Sequence, residues 1–169
     1  MRIKEFIRIL SNVTRSPNNM LYNMERPVSI YENIESHGWQ FQYVFDAEGI
    51  RPNFAYSIGF VESYSHPEVM IFGLSKEVMH TLLSNIAYDL KEGKKFQIDE
   101  KIEGILNGGL SVMFKQMQES ALPEYAGIAL DYYGKSVPML VLLWPDKNNI
   151  LPTEAGCDLT VQDEAVNVV

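Results

Sequence analysis

A single cysteine, Cys157, leaves the chain without an intrachain disulfide, so its stability does not call for an oxidising compartment and a cytoplasmic protein is expected. Long apolar runs are missing too. No stretch approaches the roughly 18 residues of a membrane span, and the N-terminus lacks the continuous apolar segment of a signal peptide, so no membrane partner is expected. Positive charge is scarce: 14 Lys and Arg face 22 Asp and Glu, for a net charge of −8. Such a field repels phosphate backbones and argues against a nucleic-acid polymer as partner. Histidine occurs three times, as His37, His66 and His80. These show no H-x-x-x-H or H-E-x-x-H spacing and no paired cysteines join them, so no metal site and no cofactor are expected. P-loop, G-x-G-x-x-G and G-x-S-x-G motifs are absent as well, which removes the familiar phosphate cradles and the serine-hydrolase elbow.

What remains is an ordinary core-forming chain. Its 169 residues, 46% apolar with nine Tyr, eight Phe and two Trp, suit one domain that buries most of its surface without metals or disulfides. Ile3, Phe6, Ile7 and Leu10 follow helical spacing with Arg2, Lys4 and Arg8 around them, predicting an amphipathic helix that packs on its own domain or pairs subunits. Residues 1–27 thus read as helix and arm, 28–156 as the core, and 157–169 as a tail prone to fray. A helix over 28–37 is closed by Gly38. Strands follow at 39–45, where aromatic residues alternate with Gln40 and Gln42, and at 54–60 and 69–72. Ser75 to Glu92 is the clearest helix, capped by Ser75 and followed by Gly93. A hairpin is expected from 96–105 and 110–114 around Asn107-Gly108-Gly109. A helix over 121–133 and a central strand at 139–144, stopped by Pro145, complete a single α+β domain: a mostly antiparallel sheet with helices packed on one face.

Two separated groups of short motifs then combine. Tyr56-Ser57-Ile58-Gly59-Phe60, His66-Pro67-Glu68-Val69 and Phe72-Gly73-Leu74, with Trp144-Pro145-Asp146 and Pro152-Thr153-Glu154 near the end, resemble the bacterial and phage family called domain of unknown function 4262. The ordered likeness spans roughly residues 35 to 154. Ser57 stands where the family has Thr, Phe60 where it has Leu, Val141 where it has Gln, Asn149 near a usual Gly, and Thr153 where it has Trp. The resemblance implies a common domain and a shared site, in a setting of bacteria–phage conflict, but brings no activity with it.

The residue types themselves point to a pocket. Tyr56, His66 and Trp144, with Tyr132 and Tyr133 nearby, supply rings, Ser57, Glu68 and Asp146 supply hydrogen-bonding groups, and Lys76 at a helix start supplies a cation. That mixture suits gripping a small polar, nucleotide-derived ligand without turning it over. The bland alternative gives Glu68 to loop amides, His66 to a turn, Ser75 to capping and Asp146 to its own turn. A second functional expectation is a metal-independent hydrolase or lyase in which His66 transfers a proton, oriented by Glu68 or Asp146. A third is an interaction domain forming a homodimer through the N-terminal helix.

Overall fold

The computed structural model describes residues 29–169; the helix expected over the first ten residues lies outside them. The chain runs α1 (Ile30–His37), β1 (Gln40–Val44), β2 (Phe54–Ile58), α2 (Phe60–Tyr64), β3 (Glu68–Phe72), α3 (Lys76–Lys91), β4 (Lys101–Ile102), β5 (Val112–Gln116), a 3-10 turn (Glu119–Ala121), α4 (Leu122–Tyr125), α5 (Gly127–Tyr133), β6 (Met139–Leu143) and α6 (Asp163–Asn167). The six strands form one sheet in the order β1-β2-β3-β6-β5-β4. Every pairing is antiparallel except β3 with β6, where Glu68 lies opposite Met139 and Ile71 opposite Leu142. The chain is a single α+β domain.

Helices cover both faces of the sheet, not one. β2, β3 and β6 are buried at every position, because runs such as Met139-Leu-Val-Leu-Leu143 send apolar side chains to both sides. One face carries Ala55, Val69, Ile71, Leu140 and Leu142 against the Met79, Leu82, Leu83 and Ile86 stripe of α3. The other carries Tyr56, Ile58, Met70, Phe72, Met139 and Val141 beneath Leu122, Ala126, Ala129, Ala165 and Val168.

Four expected boundaries shift. The 54–60 strand ends at Ile58, since Gly59 turns the chain into the short α2. The hairpin shrinks to two pairs, Lys101 with Met113 and Ile102 with Val112. The 121–133 helix breaks at Ala126 into α4 and α5, with Pro123 in the first turn of α4, where a missing N–H costs nothing. The tail is anchored rather than frayed: Ala165 and Val168 sit in the core, and the Gln118 amide donates to Val168 O at 2.7 Å.

Candidate functional site

The expected ligand set separates into two groups at opposite ends of the sheet. Ser57, His66 and Glu68 lie where β2 ends and β3 begins; Lys76, Trp144 and Asp146 lie where β3 and β6 end. Glu68 is level with Met139, and five residues of strand at roughly 3.3 Å each put Trp144 about 17 Å further on. Asp146 therefore cannot orient His66, and no single pocket spans both groups.

At the first end the family motifs build a clasp. Glu68 has no exposed surface, yet both its oxygens are occupied. Oε2 accepts from the Ser57 hydroxyl, and Oε1 accepts from the Tyr133 hydroxyl, the Gly59 amide at 2.9 Å and the Val61 amide at 3.2 Å. Ser57 Oγ in turn accepts from the Val69 amide at 2.9 Å. The carboxylate thereby ties β2, α2, β3 and α5 at one point. No Lys, Arg or His pairs with it among the described residues; aligned donors replace the cation, as a buried carboxylate requires. Tyr133, expected to lend its ring to a pocket, instead spends its hydroxyl on Glu68. Its hydroxyl is held well above the ordinary phenol range, first by burial and then by Glu68. Tyr56 is also enclosed, 1% exposed, and its phenol is raised by the same burial while the Ile128 and Ala129 amides counter it. Ser57, Glu68 and Tyr56 offer a ligand no free surface.

His66 is half-buried in a cup of aromatic edges, with ring centroids 6.5 Å from Phe60, 6.0 Å from Phe96 and 6.5 Å from Phe114. Its Nδ1 lies 2.7 Å from Pro67 O, which suits the Nδ1–H tautomer. Burial pushes its pKa below the ordinary 6.5, against the opposing Pro67 bond. The unfolded chain then binds this proton more readily than the folded one, so stability rises with pH through the window just below 6.5 and is lost on acidification. An NMR titration is expected to place the His66 midpoint under 6.5, and His66→Phe, which keeps the ring contacts, to flatten stability across that window. A midpoint above 6.5 would remove the argument.

At the second end, Trp144 donates from Nε1 to Phe72 O at 2.9 Å. Its backbone pairs with the Gln162 side chain, which accepts from Trp144 N at 3.1 Å and donates to Trp144 O at 2.7 Å. Gln162, fully buried, thus takes the place of a neighbouring strand. It is a structural residue that a single sequence hides, because one glutamine in a polar tail carries no pattern. The tail it anchors brings Val161 against Gly73. A Cβ on Gly73, whose φ is +77°, would lie 2.7 Å from Val161 Cγ2 and 3.1 Å from Val161 O, so this approach needs glycine.

Asp146 is 3% exposed, and Oδ1 accepts from the amides of Asn148 at 2.8 Å and Ile150 at 3.0 Å. Oδ2 is enclosed and makes no hydrogen bond within normal range, while the backbone and side chain of Asp158 approach the same carboxyl group. The Ile150 amide first, with Asn148 and Asp158 behind it, holds its pKa below 3.8. Its contribution to stability is therefore present above the ordinary aspartate range and lost as pH falls through the folded pKa. Asp146→Asn is expected to flatten the acid limb of a stability profile below about pH 4; an unchanged limb would count against the turn's role. Lys76 is exposed, 5.5 Å above the Tyr43 ring, and heads α3 beside Ser75, which accepts from Val78 N.

Sequence reasoning missed the open surface at this end. A cleft of about 440 Å³ lies between the β1–β2 turn, Gly73, Leu74 and Val161. It continues past Arg51 and Pro52 into a hollow of about 370 Å³ beside Thr160, Asp163 and Glu164. Phe45, Ile50 and Val161 rim it with 62%, 77% and 37% of their surface exposed. Asp46 braces the turn by accepting from the amides of Glu48, Ile50 and Arg51, with Arg51 first among the bonds that lower its pKa. Arg51 is bonded to Glu124 at 2.5 Å and lies 3.7 Å from Glu164. The only sequence signal was Phe45, which continues the parity of the inward aromatics Phe41 and Tyr43 past the strand's end.

The family model for the domain of unknown function DUF4262 matches residues 33–158. The chain belongs to the DUF4262 family. No curated protein and no solved structure matches it. The motifs that marked the resemblance in this DUF4262 domain are thus its two end clasps: Tyr56 to Gly59 with Glu68 at one, Phe72-Gly73 with Trp144 and Asp146 at the other. Among the described residues, no three His, Cys, Asp or Glu side chains gather as a metal would require, and no helix is long and apolar enough to cross a membrane.

Proposed function

We propose that this DUF4262 domain is a non-catalytic binding module that holds a small polar molecule at the cleft between the β1–β2 turn and Val161. The observation that carries the reading is the occupancy of Glu68. Glu68, two residues from His66 in the chain, accepts four hydrogen bonds from its own chain and is not free to share a proton with that histidine. The cleft, by contrast, falls in the volume range of small-molecule sites. Its charge narrows the ligand. Glu48, Asp163 and Glu164 stand around it, and Arg51 is already matched by two carboxylates, so a nucleoside-like or amine-bearing molecule suits it better than a polyphosphate.

The test is calorimetry of the purified protein with a panel of nucleosides, nucleotides and amines, followed by product analysis. Binding without conversion, weakened at least fivefold by Phe45→Ala, is the expected result. Conversion of the bound compound would replace the reading with catalysis, and absence of binding across the panel would remove it.

A further inference from the structure

We propose that the same cleft is a docking surface for this chain's own basic N-terminal segment, with residues 2–10 as the occupant. Three exposed apolar side chains, Phe45, Ile50 and Val161, cluster at the rim. A polar turn braced by Asp46 has no structural need for Phe45 or Ile50 at 62% and 77% exposure, and leaving such groups in water forfeits the gain from covering them. The cleft is also acidic at its margin, through Glu48, Asp163 and Glu164.

The N-terminal segment has the complementary chemistry. Ile3, Phe6, Ile7 and Leu10 recur in the sequence at helical spacing, with Arg2, Lys4 and Arg8 among them. Charge is partitioned along the chain in the same sense: residues 1–28 hold five Lys and Arg against two Asp and Glu, and the remainder holds nine against twenty. Attraction between the segment and the body follows, strongest at low ionic strength. Reach is no obstacle. Residues 11–28 span up to about 60 Å when extended, against a diameter of roughly 37 Å for a domain of this size. Tethering makes the contact intramolecular, so modest affinity suffices. The inference shares the cleft with the binding reading but needs no ligand.

Cross-linking of the full chain at low micromolar concentration tests it, in a Cys157→Ser background carrying Ser11→Cys and Ala47→Cys. Ala47 is exposed and Ser11 lies outside the apolar set, so neither substitution disturbs folding or removes an apolar group that the contact uses. A monomeric disulfide-linked species is expected, reduced at least tenfold when Arg2→Glu, Lys4→Glu and Arg8→Glu are added. Failure to cross-link, or the same yield with the charges reversed, would overturn the proposal. A cross-link found only between two chains would overturn it in favour of a second copy as occupant. Because a docked segment would compete with a ligand for the cleft, the small-molecule calorimetry is run on the charge-reversed variant as well as on the native chain, so that either proposal can fail while the other stands.

Discussion

Glu68→Ala is expected to lower the unfolding free energy by about 3–5 kcal/mol, with three buried or part-buried donors each costing about 1–3 kcal/mol when left unpaired and water entering the vacated space to recover part of the loss. The Ser57 hydroxyl, the Tyr133 hydroxyl and the Val61 amide lose their acceptor at once, while the Gly59 amide keeps the Tyr133 hydroxyl at 2.9 Å. In a domain of this size that corresponds to a fall in Tm on the order of 10–15 °C. Glu68→Gln keeps the volume and one acceptor oxygen, and the Ser57 hydroxyl can turn to accept from the new amide, so a smaller loss of about 1–2 kcal/mol is expected. Urea unfolding of both variants gives the comparison. A double-mutant cycle with Tyr133→Phe should show coupling above about 0.5 kcal/mol, as neighbours in one network do. A Glu68→Ala loss under about 1 kcal/mol would mean that the clasp is not what joins β2, β3 and α5. Because His66 lies outside this network, its titration should stay below 6.5 in a folded Glu68→Gln variant.

The second large effect is expected at Gly59. Its φ of +114° is open to glycine and strained for any L-residue. A Cβ there would stand 2.8 Å from Gly38 O and 3.0 Å from Trp39 Cα, backbone atoms that cannot swing aside as a side-chain tip can. Gly59→Ala must therefore move either the α1–β1 junction or the amide that Glu68 holds. A loss of about 3 kcal/mol or more is expected, combining backbone strain of roughly 1–2 kcal/mol with the overlap. Gly49→Ala is the control: φ is +65°, but nothing lies within 4 Å of the added carbon, so only the backbone strain remains, about 1–2 kcal/mol. Thermal unfolding of the pair separates strain from close approach. Equal losses would show that the approach of Gly38 to Gly59 does not matter.

Both predictions bear on how the family motifs are read. Tyr-Ser-Ile-Gly and His-Pro-Glu look in a linear sequence like ring, hydroxyl and carboxylate offered to a ligand. In the fold, Glu68 and Ser57 face each other across adjacent strands, and their polarity is consumed inside. Trp144 and Asp146 are likewise engaged, by Phe72, Gln162 and the turn through Ile150. The exposed surface that could bind something is built instead from Phe45, Ile50 and Val161, residues with no motif to announce them.

Sequence by itself determined the local elements. The α3 stripe from Met79 to Leu90, its Ser75 cap and the apolar strand before Pro145 each follow from periodicity and backbone chemistry within a few residues, although Val78, expected in the stripe, is 44% exposed. It also determined the family, through motifs kept in order. Tertiary structure alone decided that β3 lies parallel to β6, that helices cover both faces, and that Ser57 and Glu68 sit at the opposite end of the sheet from Trp144 and Asp146. The physical reason is range: helix and strand periods come from contacts a few residues apart, whereas the partners of Glu68, Gln162 and Val161 lie at separations where many pairings satisfy the same pattern and only the packed core selects one.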